Sequence, residues 1–182
     1  YLGIEVDDLL IDLSASIAEV MDSKAQFIQE DAVRPQILKE SDVIISDLPV
    51  GFYPNDEIAK RYKVASSDEH TYAHHLLMEQ SLKYLKKDGI AVFLAPVSLL
   101  TSKQSDLLKA WLKDYADVIA VITLPESIFG NAANAKSIFV LKKQAEHTPE
   151  TFVYPLADLQ SREALTDFIE KFKKWNVENM IF

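Results

Sequence analysis

The feature that most constrains the fold of this chain is the stretch 42–54, Asp-Val-Ile-Ile-Ser-Asp-Leu-Pro-Val-Gly-Phe-Tyr-Pro. Its β-branched run, residues 43–45, is typical of a strand that is buried on both faces. The strand ends abruptly, because Asp47, Gly51 and two prolines favour turns and loops. Ligands bind at the carboxyl ends of strands in open α/β sheets. We therefore predict a site at Asp47, although a simple turn role would also explain this carboxylate.

The order of the apolar segments predicts a doubly wound α/β fold. Strands are predicted at 1–6, 25–29, 42–46, 90–95, 118–124 and 135–142, and helices at 9–21, 69–87, 102–115 and 160–175. A turn at Asp88-Gly89 should close the second of these helices. No helix separates strands 118–124 and 135–142, so we expect them to be antiparallel. The sheet as a whole should be mostly parallel and Rossmann-like, with its antiparallel strand near one edge.

The length of 182 residues fits one domain with an appendage. We expect residues 1–147 to form the carboxyl-terminal part of an α/β domain. Residues 148–182 should form an edge strand and an amphipathic helix that packs on it. Strand 1–6 begins without any lead-in, whereas a strand in this setting should be central. We therefore expect a part of a longer protein, truncated at the amino terminus, with the first strand of the sheet missing.

Composition argues against several classes of protein. The net charge of −9 argues against a chain that holds nucleic acid tightly on its own, because phosphate contacts need basic side chains. The absence of cysteine excludes disulfides and thiolate metal sites. The sequence contains no apolar run of about 18 residues and no basic-then-apolar leader, so we expect a cytoplasmic protein without a membrane span.

Three histidines, His70, His74 and His75, lie close together at the start of helix 69–87. Histidines four residues apart share a helix face and can bind a metal. No carboxylate or cysteine completes a recognised metal-binding spacing here. We therefore expect no metal, and we interpret the three histidines as solvated or helix-start residues.

Several segments, taken in order, match the pattern of one enzyme family. They are Gly-Ile-Glu-Val-Asp at 3–7, Glu-Asp at 30–31, Asp-Leu-Pro-Val at 47–50, Lys-Asp-Gly-Ile-Ala-Val-Phe-Leu-Ala-Pro at 87–96, Leu-Pro-Glu-Ser-Ile-Phe at 124–129 and Ala-Lys-Ser-Ile-Phe-Val-Leu-Lys at 135–142. This order resembles the class I S-adenosylmethionine-dependent methyltransferases, and within them the N6-adenine DNA methyltransferases. The last two segments are similar to methylation subunits of type I restriction systems. The Asp-Leu-Pro-Val-Gly variant resembles uncharacterised methyltransferase-like proteins of low-GC Gram-positive bacteria.

The resemblance covers residues 1–143 and implies S-adenosylmethionine as the cofactor. Glu5 would accept hydrogen bonds from the cofactor ribose, with Asp7 as a second candidate, and Asp31 would lie beside the cofactor adenine. Asp47, which would border both cofactor and substrate, and the Leu48 carbonyl would hold the amino hydrogens of an adenine flipped out of the duplex. Glu5 and Asp7 could instead cap the following helix, and Asp31 could be a turn residue.

The segment 47–50 departs from the family's Asn/Asp-Pro-Pro-aromatic motif at two of its four positions. Leu48 replaces the first proline and loosens the turn, whereas Pro49 is kept. Val50 replaces the aromatic residue that would stack on the flipped base, and such stacking is worth about 1–3 kcal/mol per base. Phe52 or Tyr53 could take over this role as substrate-binding residues. The glycine-rich first motif of the family is absent, so we expect these 182 residues alone to be inactive.

The resemblance implies DNA as a partner, and the acidic charge predicts that another domain or subunit supplies the specificity. Two other functions stay open. The chain could belong to a catalytically weak or inactive methyltransferase-like protein that senses the cofactor or binds a protein partner, as Leu48 and Val50 suggest. It could also belong to a nicotinamide-dependent oxidoreductase, because an acidic residue at a strand end also recognises ribose there. The Asp-Leu-Pro-Val loop and the antiparallel pair fit that oxidoreductase poorly.

Overall fold

The computed structural model describes residues 1–143 and 150–181 and contains two compact units, Tyr1–Leu38 and Lys39–Phe182. The expected boundary between residues 147 and 148 lies outside the described residues. Within the described ranges, no helix combines the length and the apolar character that crossing a membrane requires.

The first unit is a strand–helix–strand element. Strands β1 (Leu2–Glu5) and β2 (Gln26–Gln29) are parallel, and helix α1 (Asp8–Val20) connects them. The helix begins at Asp8 because the Asp7 carboxylate accepts a hydrogen bond from the Leu10 amide at 2.9 Å. Strand β1 needs a glycine at position 3, because a Cβ there would lie 2.8 Å from the Phe27 ring.

The second unit is built on a five-stranded sheet in the order β3-β4-β6-β5-β7. Its strands are β3 (Ser41–Asp47), β4 (Leu85–Pro96), β5 (Ala116–Thr123), β6 (Lys136–Lys143) and β7 (Phe152–Pro155). Its helices are α2 (Asp56–Ala59), α3 (Ala73–Lys83), α4 (Ser105–Tyr115) and α5 (Arg162–Asn179).

The predicted antiparallel pair of strands is confirmed. Strand β6 runs antiparallel to β4 on one side and to β5 on the other, whereas β3 and β4, and β5 and β7, are parallel. The mostly parallel α/β class is therefore confirmed as well. Strand β6 is the central strand of this five-stranded sheet, with β4 and β3 on one side and β5 and β7 on the other, so the antiparallel strand does not lie near an edge of this sheet as expected. Because β6 is antiparallel to β4, its first residue lies at the end of the sheet where β3 and β4 have their carboxyl ends.

Two details of the predicted elements are wrong. Strand β3 is not buried on both faces, since Val43 is 55% and Ile45 76% exposed. It is an edge strand of this sheet, and only the face with Ile44 and Ser46 is partly covered. Helix α3 ends at Lys83, earlier than predicted, and Asp88-Gly89 does not close it.

The residues predicted as that turn belong instead to an irregular start of β4. Leu85 pairs with Ser41 and Ile90 with Val43, so the longer β4 segment carries an irregularity. Asp88 takes a positive φ of 61° within it. A Cβ on Gly89 would lie 2.8 Å from Leu85, which explains the glycine at that position.

The edge of the sheet formed by β7 is covered by an aromatic cluster between β7 and α5. The Phe152 ring lies 5.3 Å from Phe172 and 5.5 Å from Trp175, centroid to centroid. Tyr154 donates a hydrogen bond to the Asp167 carboxylate at 2.5 Å. These contacts join α5 to the last strand, on the opposite side of the sheet from β3.

Candidate active site

The segment 47–50 leaves the sheet at the carboxyl end of β3. Asp47 pairs with Leu94 of β4, and the Leu48 amide donates a hydrogen bond to the Leu94 carbonyl at 2.8 Å. The Leu48 side chain is fully buried, whereas Val50 is 53% exposed. The buried Leu48 side chain therefore anchors the turn in the core. The start of the segment is held in place although leucine stands where the family motif has proline.

Lys136, the first residue of β6, lies beside this turn. Its ammonium donates to the Asp47 carboxylate and, at 2.9 Å, to the Leu48 carbonyl. The Lys136 side chain is only 14% exposed, whereas that of Asp47 is 66% exposed. Two acceptors from consecutive residues thus converge on one nitrogen atom at the end of the sheet.

The sequence did not single out Lys136 as a candidate site residue. A signal was present, because Lys136 falls within the family-like segment 135–142. An antiparallel strand also brings its first residue to the end of its parallel neighbours, and Lys136 pairs with Pro96, the last residue of β4.

The loop after Val50 is fixed by pairing with the residues that precede α3. Phe52 and Tyr72 form an isolated antiparallel bridge. The Tyr53 amide donates to the Thr71 carbonyl at 2.8 Å, and the Ala73 amide donates to the Gly51 carbonyl at 2.9 Å. Gly51 has a φ of 117°, which side chains disfavour, so glycine is required at this turn.

A buried carboxylate holds the middle of the same loop. Glu79 of α3 is fully buried and accepts a hydrogen bond from the Val64 amide at 3.0 Å. Its other oxygen lies 2.7 Å from the Lys83 ammonium. Gln104 fixes the end of the loop, because its side chain donates to the His70 carbonyl at 2.7 Å and accepts from the Tyr72 amide at 3.1 Å.

The pairing of the loop after Val50 with the residues that precede α3 places three rings in a stack beside the turn. The Phe52 and Tyr72 ring centroids are 4.7 Å apart with an interplanar angle of 9°, and those of Tyr72 and His74 are 5.0 Å apart at 21°. Phe52 is 52% exposed, whereas Tyr53 is only 7% exposed. Of the two aromatic residues proposed to replace the missing ring at position 50, Phe52 is therefore the one that presents a ring to the solvent.

The three histidines were predicted to be solvated or helix-start residues, and the structure separates them into one exposed and two buried side chains. That prediction holds for His70, which is exposed and forms a 2.9 Å contact with Asp56 that raises the His70 pKa. His74 and His75 lie in the first turn of α3, as predicted, but they are not solvated, since they are 3% and 0% exposed where this turn packs into the core. Burial and, to a smaller extent, the neighbouring His74 together lower the pKa of His75 to about 3.

The His74 ring contacts the turn at residues 47–50 directly. Its Nδ1 lies 3.3 Å from the Pro49 carbonyl, which can only accept, so Nδ1 carries the hydrogen. The His74 pKa is lowered to about 4, mainly by burial and also by the positive charge of Lys136, while the Pro49 hydrogen bond opposes the shift. His74 is therefore neutral at physiological pH. No group of three or more metal-ligating side chains occurs within the described residues.

The acidic residues of the first unit lie at the carboxyl ends of β1 and β2. The Glu30 amide donates to the Glu5 carbonyl at 3.0 Å, which holds the two strand ends together. One Glu5 carboxylate oxygen, Oε1, accepts from the Val6 amide at 2.7 Å and from the Asp7 amide at 2.9 Å. Among residues 1–143 and 150–181, no group bonds to its other oxygen, Oε2. Glu5 thus presents an oriented carboxylate that could accept from a ligand hydroxyl.

Asp7 and Asp31 both have the structural roles that the sequence left open, which are a helix cap for Asp7 and a turn residue for Asp31. Asp7 caps α1. One oxygen of Asp31 accepts from the Val33 amide at 2.9 Å, and the other lies 3.7 Å from Arg34 Nε. Their cofactor contacts remain predictions. Glu5, Asp7 and Asp31 thus belong to the first unit, whereas the segment 47–53 belongs to the second.

A mostly parallel sheet with a carboxylate at the end of one strand and an antiparallel strand beside the turn at 47–50 is the architecture of a class I S-adenosylmethionine-dependent methyltransferase. A sequence profile of the N-6 DNA Methylase family matches residues 3–181, so the chain belongs to this family. The resemblance found in the sequence is confirmed, and the family's cofactor is S-adenosylmethionine. This membership argues against the nicotinamide-dependent oxidoreductase.

Comparisons with individual proteins agree with the family. The chain is 39% identical over 176 residues to the uncharacterized protein YtxK of Bacillus subtilis (strain 168), covering 95% of this chain and 54% of that protein. A crystal structure from Listeria monocytogenes, named as a candidate class I S-adenosylmethionine-dependent methyltransferase, is 30% identical with a TM-score of 0.87. The match covers 96% of this chain and 55% of that one.

A type I restriction-modification methyltransferase subunit from Streptococcus thermophilus shares the fold. Its TM-score is 0.74 at 14% identity, and the match covers 96% of this chain and 42% of that one. The chain thus spans about half the length of the first two relatives, and less of this subunit.

Proposed function

We propose that this chain is the carboxyl-terminal part of a methyltransferase catalytic domain that methylates the exocyclic amine of adenine in DNA. The observation that carries the proposal is the convergence of the Asp47 carboxylate and the Leu48 carbonyl on a single nitrogen, that of Lys136. Two acceptors that can hold one ammonium in this way can also hold the two hydrogens of an amino group.

Methylation of an adenine amine requires such a pair of hydrogen-bond acceptors. An exocyclic adenine amine is a poor nucleophile, because its lone pair is delocalised into the ring. Accepting its two hydrogens at Asp47 and Leu48 favours a more tetrahedral nitrogen and directs the lone pair away from the acceptors. Most of the acceleration then comes from positioning and from preorganised acceptors.

The stacked rings supply a surface for the base. A target adenine has to leave the duplex before its amine can reach Asp47. Phe52 offers an exposed ring, and its stacking on Tyr72 fixes the orientation of that ring. The neutral His74 continues the stack and holds the Pro49 carbonyl. Val50 then needs only to leave room for the base, and Pro49 keeps the turn stiff.

The carboxylates of the first unit fit the cofactor. Glu5 has one oxygen held by backbone amides and presents the other, as a ligand with ribose hydroxyls requires. Asp7 and Asp31 of the same unit are additional candidates for cofactor contacts, and Asp47 is a candidate through the family resemblance alone. S-adenosylmethionine, when bound, supplies a methyl group on a sulfonium, and the residues named here orient the partners of the transfer.

The DNA contacts are assigned to another domain or subunit. The net charge of −9 gives this chain little attraction for phosphates. The family description supports DNA over RNA or protein as the substrate. The experiment that tests this function uses the full-length protein with S-adenosylmethionine labelled on its methyl group. We expect label in N6-methyladenine after digestion of DNA, whereas label in RNA or protein alone would contradict the DNA substrate.

A second function is favoured by a specific observation. Val50 removes the aromatic ring of the motif, and Lys136 fills the acceptor pair. A methyltransferase-like protein that binds S-adenosylmethionine without transferring its methyl group, and that binds a protein partner, would show the same features. Cofactor binding without methyl transfer to any nucleic acid would favour this alternative.

A further inference from the structure

We infer that the Lys136 ammonium is the resident occupant of the amine site and has to leave it before a substrate amine can bind. The inference rests on the proposed function, because it takes the Asp47 carboxylate and the Leu48 carbonyl as the amine acceptors. It adds a residue that controls access to that site.

The contacts of Lys136 match those required of the substrate. Its Nζ donates to the Asp47 carboxylate and to the Leu48 carbonyl at 2.9 Å. An adenine amine has two hydrogens and needs the same two acceptors. Both nitrogens cannot occupy this one position, so the ammonium of Lys136 excludes a target amine while it stays there.

The surroundings of Lys136 favour occupation over solvent exposure. Its side chain is 14% exposed, so the stem is packed and directs the ammonium to the turn. The Asp47 side chain is 66% exposed, so the pair is open on the carboxylate side. An ion pair with such an exposed partner is weak, and a bound ligand can displace it. The contact therefore closes the site without blocking it permanently.

A neighbouring lysine of the same strand provides a matched control. Lys142 donates to the Ile181 carbonyl at 3.0 Å and thus also binds a backbone oxygen. It lies at the opposite end of β6 from Lys136. Substitution of Lys142 should alter packing but should not open the amine site.

The first test measures occupation and uses the full-length protein without any substrate. Lysines are acetylated with a water-soluble N-hydroxysuccinimide ester, and the rate at each lysine is followed by peptide mass spectrometry. We expect Lys136 to react about tenfold or more slowly than the exposed Lys113, and Asp47→Ala to remove much of this protection. Equal rates at Lys136 and Lys113 in the unsubstituted protein would overturn the inference.

The second test measures competition. Binding of single-stranded oligodeoxyadenylate is measured by calorimetry with S-adenosylhomocysteine present, so that the base cannot bind in the cofactor site. Lys136→Met should bind the oligonucleotide about two- to tenfold more tightly, because a weak exposed ion pair no longer competes. Lys142→Met should bind as the unsubstituted protein does. Equal or weaker binding by Lys136→Met would overturn the inference.

The two tests separate this inference from the proposed function. If no variant binds the oligonucleotide, the full-length protein alone does not hold single-stranded DNA, and the acetylation rates decide whether Lys136 occupies the site. If the unsubstituted protein binds the oligonucleotide and Lys136→Met binds no better, the proposed function stands and the inference fails.

Discussion

The Phe52 ring stacks on Tyr72 at a centroid distance of 4.7 Å, nearly parallel, with about half of its surface open to solvent. This relationship gives the chain an aromatic surface two residues after the position where the family motif has one. We predict that Phe52→Ala in the full-length protein weakens binding of an adenine oligonucleotide about tenfold or more, because base stacking is worth about 1–3 kcal/mol. Calorimetric titration would measure this loss.

Val50→Ala serves as the control for Phe52, since Val50 is equally exposed and lies in the same loop. It should change affinity less than threefold, roughly within the range of a small apolar contact. Equal losses in both variants would indicate that the loop, and not the Phe52 ring, holds the base.

An aromatic residue at position 50 distinguishes a weakened enzyme from an inactive module. Val50 is 53% exposed, so a tyrosine there should be accommodated without repacking the core. We predict that Val50→Tyr raises the rate of methyl transfer by the full-length protein about tenfold at low substrate concentration, because it restores stacking on the base. Labelled methyl transfer to DNA would measure it. No gain, together with intact cofactor binding, would favour the interaction module.

The buried His75 makes the stability of the fold depend on pH. Its pKa of about 3 lies below the ordinary value of 6.5, so the unfolded chain binds more protons between these values. The free energy of unfolding should therefore fall as the pH is lowered from about 6.5 toward 3, by at most roughly 1.4 kcal/mol per pH unit for this histidine. We predict that His75→Leu reduces this slope, measured by urea unfolding at several pH values.

The exposed His70 provides a control of opposite sign. Asp56 raises its pKa, so its contribution to stability is fully present below pH 6.5 and is lost as the pH rises through the folded pKa. His70→Gln should therefore affect stability mainly on the acidic side and should leave the slope caused by His75 in place. An unchanged slope in His75→Leu would contradict the buried neutral histidine.

Much of the fold followed from the sequence because its strands are short apolar runs that end in strong turn signals. The pair β5 and β6 was predicted as antiparallel from the missing helix between them, and the structure confirms it. The start of β4 was mistaken for a helix end, because Asp88-Gly89 favours a turn locally, whereas pairing of Ser41 with Leu85 draws these residues into the sheet.

Only the part of the candidate site that directly follows one strand could be predicted from the sequence. Asp47 and the Leu48 carbonyl follow directly from the end of β3. Lys136 is 89 residues from Asp47, and the ring stack depends on a bridge between Phe52 and Tyr72 across a long loop. His74 was interpreted as a solvated or helix-start residue, whereas packing of α3 buries it against the turn. Such contacts arise from tertiary packing, which periodicity in the sequence does not record.

The measurement that tests the central claim most directly is the rate of methyl transfer to adenine in DNA by the full-length protein with position 47 changed. Asp47→Ala removes one acceptor of the amine and should lower the rate about 100-fold or more at saturating S-adenosylmethionine, as removal of a preorganised hydrogen-bonding group does. Asp47→Asn keeps an acceptor oxygen and should stay within about tenfold of the unsubstituted protein. Transfer that is unaffected by Asp47→Ala would contradict the account.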